Sequence, residues 1–321
     1  MRNNRFQNHV SESTLTLPLC MVTGALAWFW NGTTQEFSFS NLALASFLLA
    51  AVCTYIVIET SNFFALLRIR SSMIAAVWVV CISMLPALHS FSMGWVAVPA
   101  LAASYYTMFL AYQQHEPVLH IFHSFLLLGI ASLAIPHMLA FVPLYYWYLL
   151  VFLRCLTWRG FWAGTVGMAL PACFALGWCI LSRDFGFIQG RLELLQATRL
   201  LPADGYAWLM SYREPQALNF AFITLLSVIG IVHYLRTYYN DKIRTRMYLY
   251  IYVMQTAASW LLMVCLPDLY YLVYPVFLLG ASTMIAHFFA LTGTIVSNLL
   301  FCLCLILALM LFTLNMGLWT F

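Results

Sequence analysis

Charge is what this sequence has least of. Asp, Glu, Lys and Arg make up 7% of its 321 residues, against 64% for hydrophobic types. Soluble domains carry about 25% charged residues, so a soluble globular fold is excluded for most of the chain. The formal net charge is only +4, which leaves no basic field for a nucleic-acid partner. Recognisable chemistry is missing too. There is no Walker A sequence, no Rossmann glycine pattern, no HExxH pair and no selectivity-filter sequence, so no cofactor is expected. None of the nine cysteines forms a CxxC pair, and all lie in or beside apolar stretches. They read as small packing residues and not as disulfide partners. The first apolar run, 15–30, ends in aromatics without a small-residue cleavage pattern, so it is expected to be a retained span.

What is present is a series of long apolar runs. A membrane helix needs roughly 20 apolar residues. The runs at 15–31, 42–60, 71–88, 95–112, 118–135, 138–153, 160–181, 216–235, 247–266, 269–288 and 296–318 give an all-α, polytopic transmembrane bundle of about 11 spans. Ten is the alternative, because Thr292, Gly293, Thr294, Ser297 and Asn298 weaken the last junction without a charged loop. The whole of 1–321 is expected to be a single integral membrane domain. With a cytoplasmic N-terminus, Arg2, Arg5, Arg68, Arg70, Arg154, Arg159, Arg236, Lys242, Arg244 and Arg246 fall inside. This distribution obeys the positive-inside rule. Arg183, Arg191, Arg199 and Arg213 all fall in the one long outer loop, 182–215, beside Asp184, Glu193, Asp204 and Glu214.

In that loop Ile188, Leu192 and Leu195 recur at three-four spacing, with Gln189, Glu193 and Gln196 on a neighbouring face. The pattern predicts an amphipathic helix on the outer membrane surface. It serves either as a plain connection, as a lid over a membrane cavity, or as a partner-docking element. Clustered aromatics at span ends, Tyr145, Tyr146, Trp147 and Tyr148 among them, are expected to be interfacial anchors. Gly164 with Gly167, and Gly129 with Ser132, are expected to bring helices close.

Two polar sets are the candidates for chemistry. Glu116, His120 and His123 share one face if a helix starts near Pro117. Such a set can hold structural hydrogen bonds, handle a proton or substrate, or bind a metal. Without a third ligand type nearby, no metal is expected. On the outer side, Arg183, Asp184 and Arg213 supply an acidic base and phosphate-binding cations, the needs of a lipid-linked-sugar glycosyltransferase. The first outer loop, however, offers only Glu36.

The segments Gly129-Ile130-Ala131-Ser132-Leu133, Trp158-Arg159-Gly160-Phe161-Trp162 and Gly167-Met168-Ala169-Leu170-Pro171 resemble a family of uncharacterised polytopic inner-membrane proteins from Bacteroidota. The resemblance covers about residues 110–180. It implies a multi-pass protein of a bacterial cytoplasmic (inner) membrane and supplies no activity. The expected role is an envelope-assembly component that accommodates a lipid-linked substrate, with membrane lipid as its partner. A non-catalytic scaffold holding other membrane subunits, a glycosyltransferase and a small-solute transporter are the alternatives.

Overall fold

The computed structural model describes residues 5–31, 36–37, 39–202, 206 and 215–315. Among these the protein is built from helices. In order they are α1 (Phe6–Glu12), α2 (Thr16–Phe29), α3 (Asn41–Phe63), α4 (Met73–Ser83), α5 (Gly94–Leu110), α6 (Val118–Ala134), α7 (Val142–Trp147), α8 (Trp158–Ser182), α9 (Gly186–Ala197), α10 (Pro215–Thr237), α11 (Ile243–Cys265), α12 (Tyr270–Leu291) and α13 (Ile295–Asn315). A 3-10 turn, Pro136–Phe141, leads into α7, and a π turn, Tyr148–Phe152, continues it. Between α2 and α3 the strands Trp30–Asn31 and Glu36–Phe37 pair antiparallel.

This is a multi-pass membrane protein. Six stretches are long and apolar enough to cross a bilayer: Asn41–Phe63, Trp158–Ser182, Ala217–Asn240, Ile243–Cys265, Pro267–Leu291 and Ile295–Leu314. At 1.5 Å per residue they are about 30–38 Å long, which matches a hydrocarbon core of about 30 Å. Helices α1 and α2 add a seventh only as a pair bent by 83°, with Ser13 extended at the corner. Four apolar helices fall short: Met73–Ser83, Gly94–Leu110, Val118–Ala134 and Pro136–Phe152. At about 17–26 Å, each is shorter than a hydrocarbon core of about 30 Å. The reason at 71–88 is local: Leu85, the residue before Pro86, is extended at φ −118° and ψ 100°, as a pre-proline residue prefers.

The chain forms two compact units, Met1–Phe91 with Ala203–Thr256 and Phe277–Phe321, and Ser92–Pro202 with Ala257–Val276. In the first, tryptophan N–H groups tie helices together. Trp28 Nε1 donates to Ser46 Oγ at 3.2 Å, and Trp78 Nε1 to Thr54 Oγ1 at 3.1 Å. A Cβ added at Gly230 would lie 2.5 Å from the Met284 carbonyl oxygen, so α10 and α12 touch backbone to backbone there. The weakly apolar junction before α13 is a true break. Thr294 and Ser297 cap each other's backbone N–H groups at 3.1 Å, and this reciprocal pair starts α13. Gln7 of α1 closes the same junction. Its side-chain amide donates to the Phe289 carbonyl and to Thr292 Oγ1, and its backbone N–H to Asn298 Oδ1.

In the second unit, Ser104 and Ser124 clamp α5 to α6, each hydroxyl donating to the other's carbonyl at 2.7 and 3.1 Å. Helices α6 and α8 then run parallel through glycines. A Cβ at Gly160 would meet Ile121, one at Gly164 would meet Phe125, and one at Gly129 would lie 2.8 Å from the Met168 carbonyl. The tightest point is Gly167, where a Cβ would sit 2.5 Å from the Phe122 carbonyl oxygen. Tyr145 and Tyr148 are fully buried beside this contact. That corrects their expected role as interfacial anchors: Tyr145 packs on Tyr105 and Phe125 at 5.6 and 5.7 Å. Trp147 keeps a lipid-facing side, being half exposed.

The glycine seam can be tested by pairing Gly167→Ala with Gly177→Ala. Both sit inside α8, where alanine gains up to about 1 kcal/mol in helix propensity. At Gly177 a Cβ meets nothing within 4 Å, so Gly177→Ala should be neutral or mildly stabilising. At Gly167 the Cβ must displace backbone, and overpacking costs about 1–3 kcal/mol. Gly167→Ala should therefore unfold at a lower temperature than wild type in a detergent melt. Equal melting of the two variants would rule out the close approach.

Candidate functional site

The site grows from a difference in helix length. Helix α6 has 17 residues and α8 has 25. They start level, with Ile121 opposite Gly160, and run parallel, so α8 outruns α6 by about 12 Å. Helix α6 stops at Ala134 because Ile135 precedes Pro136 and is extended. Helix α8 stops at Ser182 with Arg183 left-handed at φ 55° and ψ 24°. The chain then folds back. Asp184 Oδ1 accepts the Gly186 N–H at 2.8 Å, an Asx turn that leads into α9.

Helix α9 roofs the space that the short α6 leaves. A half-enclosed groove of about 530 Å³ lies between α6, the Pro136–Phe141 turn, α7, α8 and α9. Ser132 and Leu133 line one wall, residues from Thr165 to Leu176 line another, and Phe187, Ile188, Arg191, Leu192 and Leu195 form the roof. Gln189, Glu193 and Gln196 point away and are exposed. Two side-chain contacts fasten the roof to the end of α6. Arg191 Nη1 donates to the Ala134 carbonyl at 2.9 Å, and His137 Nε2 lies 2.8 Å from Thr198 Oγ1. The first satisfies a carbonyl orphaned by the helix end, and a cation suits that end of the helix dipole. Arg191 also stands 5.1 Å over the Phe187 ring. At the far end the Leu201 N–H reaches the Cys265 carbonyl at 2.9 Å.

The other expected site residues are placed differently. Arg183 and Asp184 are exposed and do not line the groove; one ends α8 and the other closes the turn before α9. Arg213 lies outside the described residues, as do Asp204 and Glu214, and nothing is described of the Glu36 side chain. The set Glu116, His120 and His123 does not form one helical face. Pro117 precedes α6 at φ −84° and ψ 39°, so Glu116 leaves the helical register that the spacing requires. Glu116 instead meets Arg159 at 3.4 Å on the surface, an exposed pair of little energetic weight. His123 is exposed and His120 half-buried.

A second polar centre lies in the first unit, between α10 and α11. The Asp241 side chain is fully buried; Oδ1 takes Arg68 Nε at 2.6 Å, and Oδ2 faces the buried His287 Nε2 at 3.4 Å. The 3.4 Å approach is not a formed hydrogen bond, since neither atom has a bonding partner. Arg246 Nε holds the Asp241 carbonyl at 2.7 Å, and Tyr234 OH donates to the Arg246 carbonyl at 2.9 Å. The His233 ring lies 6.1 Å from that of His287. Burial alone would raise the Asp241 carboxyl, but His287 and Arg68 outweigh it and hold the carboxyl below its ordinary 3.8.

Two of these features escape sequence reasoning. Arg191 looks like any loop arginine until the Ala134 carbonyl is in view. Asp241 does leave a signal, as a lone acid among Arg236, Lys242, Arg244 and Arg246. No family model, no curated protein and no solved structure matches this chain.

The Asp241 centre should behave as a structural clasp with a definite pH sign. A depressed carboxyl contributes stability above its unfolded value, and this is lost as pH falls through the folded value. Breaking a buried pair costs about 3–5 kcal/mol. Arg68 is 36% exposed, so Asp241→Asn should cost nearer 1–3 kcal/mol after screening by solvent. In thermal unfolding the gap between wild type and Asp241→Asn should be constant near neutral pH and close below 3.8. A gap that persists unchanged to pH 3 would mean the fold does not hold the carboxyl below its ordinary value.

Proposed function

We propose that the protein holds one hydrocarbon chain of a lipid-linked substrate in this groove, as an envelope-assembly component of a bacterial inner membrane. The groove's depth carries the reading. Its α8 wall runs from Thr165 to Leu176, about 17 Å along the helix. That is roughly one leaflet of a hydrocarbon core about 30 Å thick. The lining is apolar apart from a few hydroxyls and one cation, as a chain standing in a single leaflet requires. The amphipathic roof suits the level where lipid headgroups lie.

The resemblance over about 110–180 and the inward bias of basic residues favour an inner membrane with the N-terminus in the cytoplasm. Eleven crossings then need the bent α1–α2 pair and the four short helices to count as spans. This orientation puts α9 on the outer side. Reporter fusions after Arg70, Arg159 and Lys242 should give cytoplasmic signals, and one at Gly205 an external signal. A cytoplasmic signal at Gly205 would move the groove to the inner leaflet.

One observation favours a scaffold instead. Ala169, Ala172 and Ala175 form a small-residue stripe along the groove wall, which also suits a partner helix. The glycosyltransferase and transporter readings have less behind them, because Asp184 is used in the turn before α9 and the groove is apolar. The deciding experiment is Ala172→Trp, which fills the groove from α8. Native mass spectrometry of the detergent-purified wild type should retain lipid after mild delipidation, and the variant should lose it. Undiminished lipid retention in Ala172→Trp would sink the reading. Loss of a co-purifying subunit without loss of lipid would favour the scaffold.

A further inference from the structure

We infer that Arg191 binds the phosphate of the groove's ligand, so that the groove takes a lipid phosphate, one phosphate carried on one hydrocarbon chain, and not a neutral lipid. The inference rests on the groove reading and adds the chemistry of the headgroup.

Arg191 is the single charged residue among those lining the groove. Among the described residues no carboxylate lies within salt-bridge distance of it. Asp184 spends Oδ1 on the Gly186 N–H, and Glu193 is on the exposed face of α9. One guanidinium nitrogen, Nη1, caps Ala134, while Nε is buried and has no hydrogen-bond partner. A buried donor left unmet is costly, and a half-buried guanidinium without a counter-charge adds to that. Both are relieved by one anionic oxygen. Arginine's planar fork is matched to phosphate, and it sheds water more readily than an ammonium group.

Position supports the same chemistry. Arg191 sits in the roof at the level of the Ala134 carbonyl, on the Ser182 side of the groove, so a chain descending the groove toward Thr165 has its headgroup at Arg191. The groove follows a single α8 face and presents one cation. This matches one phosphate on one chain better than a bulky two-chained phospholipid.

The test uses the full chain in phosphatidylglycerol vesicles, with a photoactivatable polyprenyl phosphate and the matching polyprenol as probes. Labelled peptides from the α8 and α9 segments are counted. Wild type should be labelled about tenfold more by the phosphate than by the alcohol, the scale of a charged hydrogen bond. Arg191→Gln should erase the preference while alcohol labelling persists, and Arg191→Lys should restore part of it. A spin label at Leu195 reports whether α9 stays seated in each variant. If α9 detaches in Arg191→Gln, the wild-type preference decides alone. Equal labelling of wild type by both probes would overturn the inference and leave the groove reading standing. Phosphate labelling that dilutes in proportion to added phosphatidylglycerol would also overturn it, in favour of ordinary membrane phospholipid. No groove labelling by either probe would overturn the groove reading itself.

Discussion

The second unit depends on how closely α6 and α8 approach. Glycine at 160, 164 and 167 on α8, and at 129 on α6, removes every Cβ that would hold the two backbones apart. Lipid tails are as apolar as leucine, so two membrane helices gain little by burying apolar surface; close backbone packing must hold them. Once the two are locked in parallel, their unequal lengths become a cavity. Pro136 ends one helix early, Arg183 ends the other late, and α9 has only three residues in which to turn back. The groove is thus a by-product of a tight seam beside a mismatch.

The polar side chains collect where helices stop, for a common reason. Inside a bilayer no water is available for a carbonyl or N–H that a helix end leaves unpaired. Arg191 meets Ala134, Gln7 meets Phe289 and Thr292, Thr294 and Ser297 meet each other, and Arg246 meets the carbonyls of Asp241 and Tyr239. Asp184, next to Arg183 and suggestive of chemistry, follows the same pattern and accepts the Gly186 N–H in the turn before α9.

The long spans are legible in the sequence because length and apolarity alone decide them. The helix at 186–197 is legible for another local reason, the spacing of Ile188, Leu192 and Leu195. Failures occur where hydropathy is blind to backbone. Leu85 counts as apolar but is extended before Pro86, and Glu116 has the right spacing to His120 but sits outside α6. Tyr145 and Tyr148 carry the same amphipathic ring as an interfacial tyrosine. Only their neighbours, Tyr105 and Phe125, show that they belong inside. The groove is unreadable in advance because its roof, wall and anchoring carbonyl come from segments far apart in the chain, 57 residues in the Arg191–Ala134 bond.

The docking of Gln7 has a consequence for biosynthesis. Its partner Phe289 lies 282 residues further along the chain. At about 5–20 residues per second, the ribosome reaches that residue roughly 14–56 s after Gln7. Until then α1 is held by earlier-made partners, such as the Ser71 hydroxyl that donates to its Ser11 carbonyl. The Gln7 contacts are therefore among the last to form, and the far end of this unit closes onto a helix made long before it.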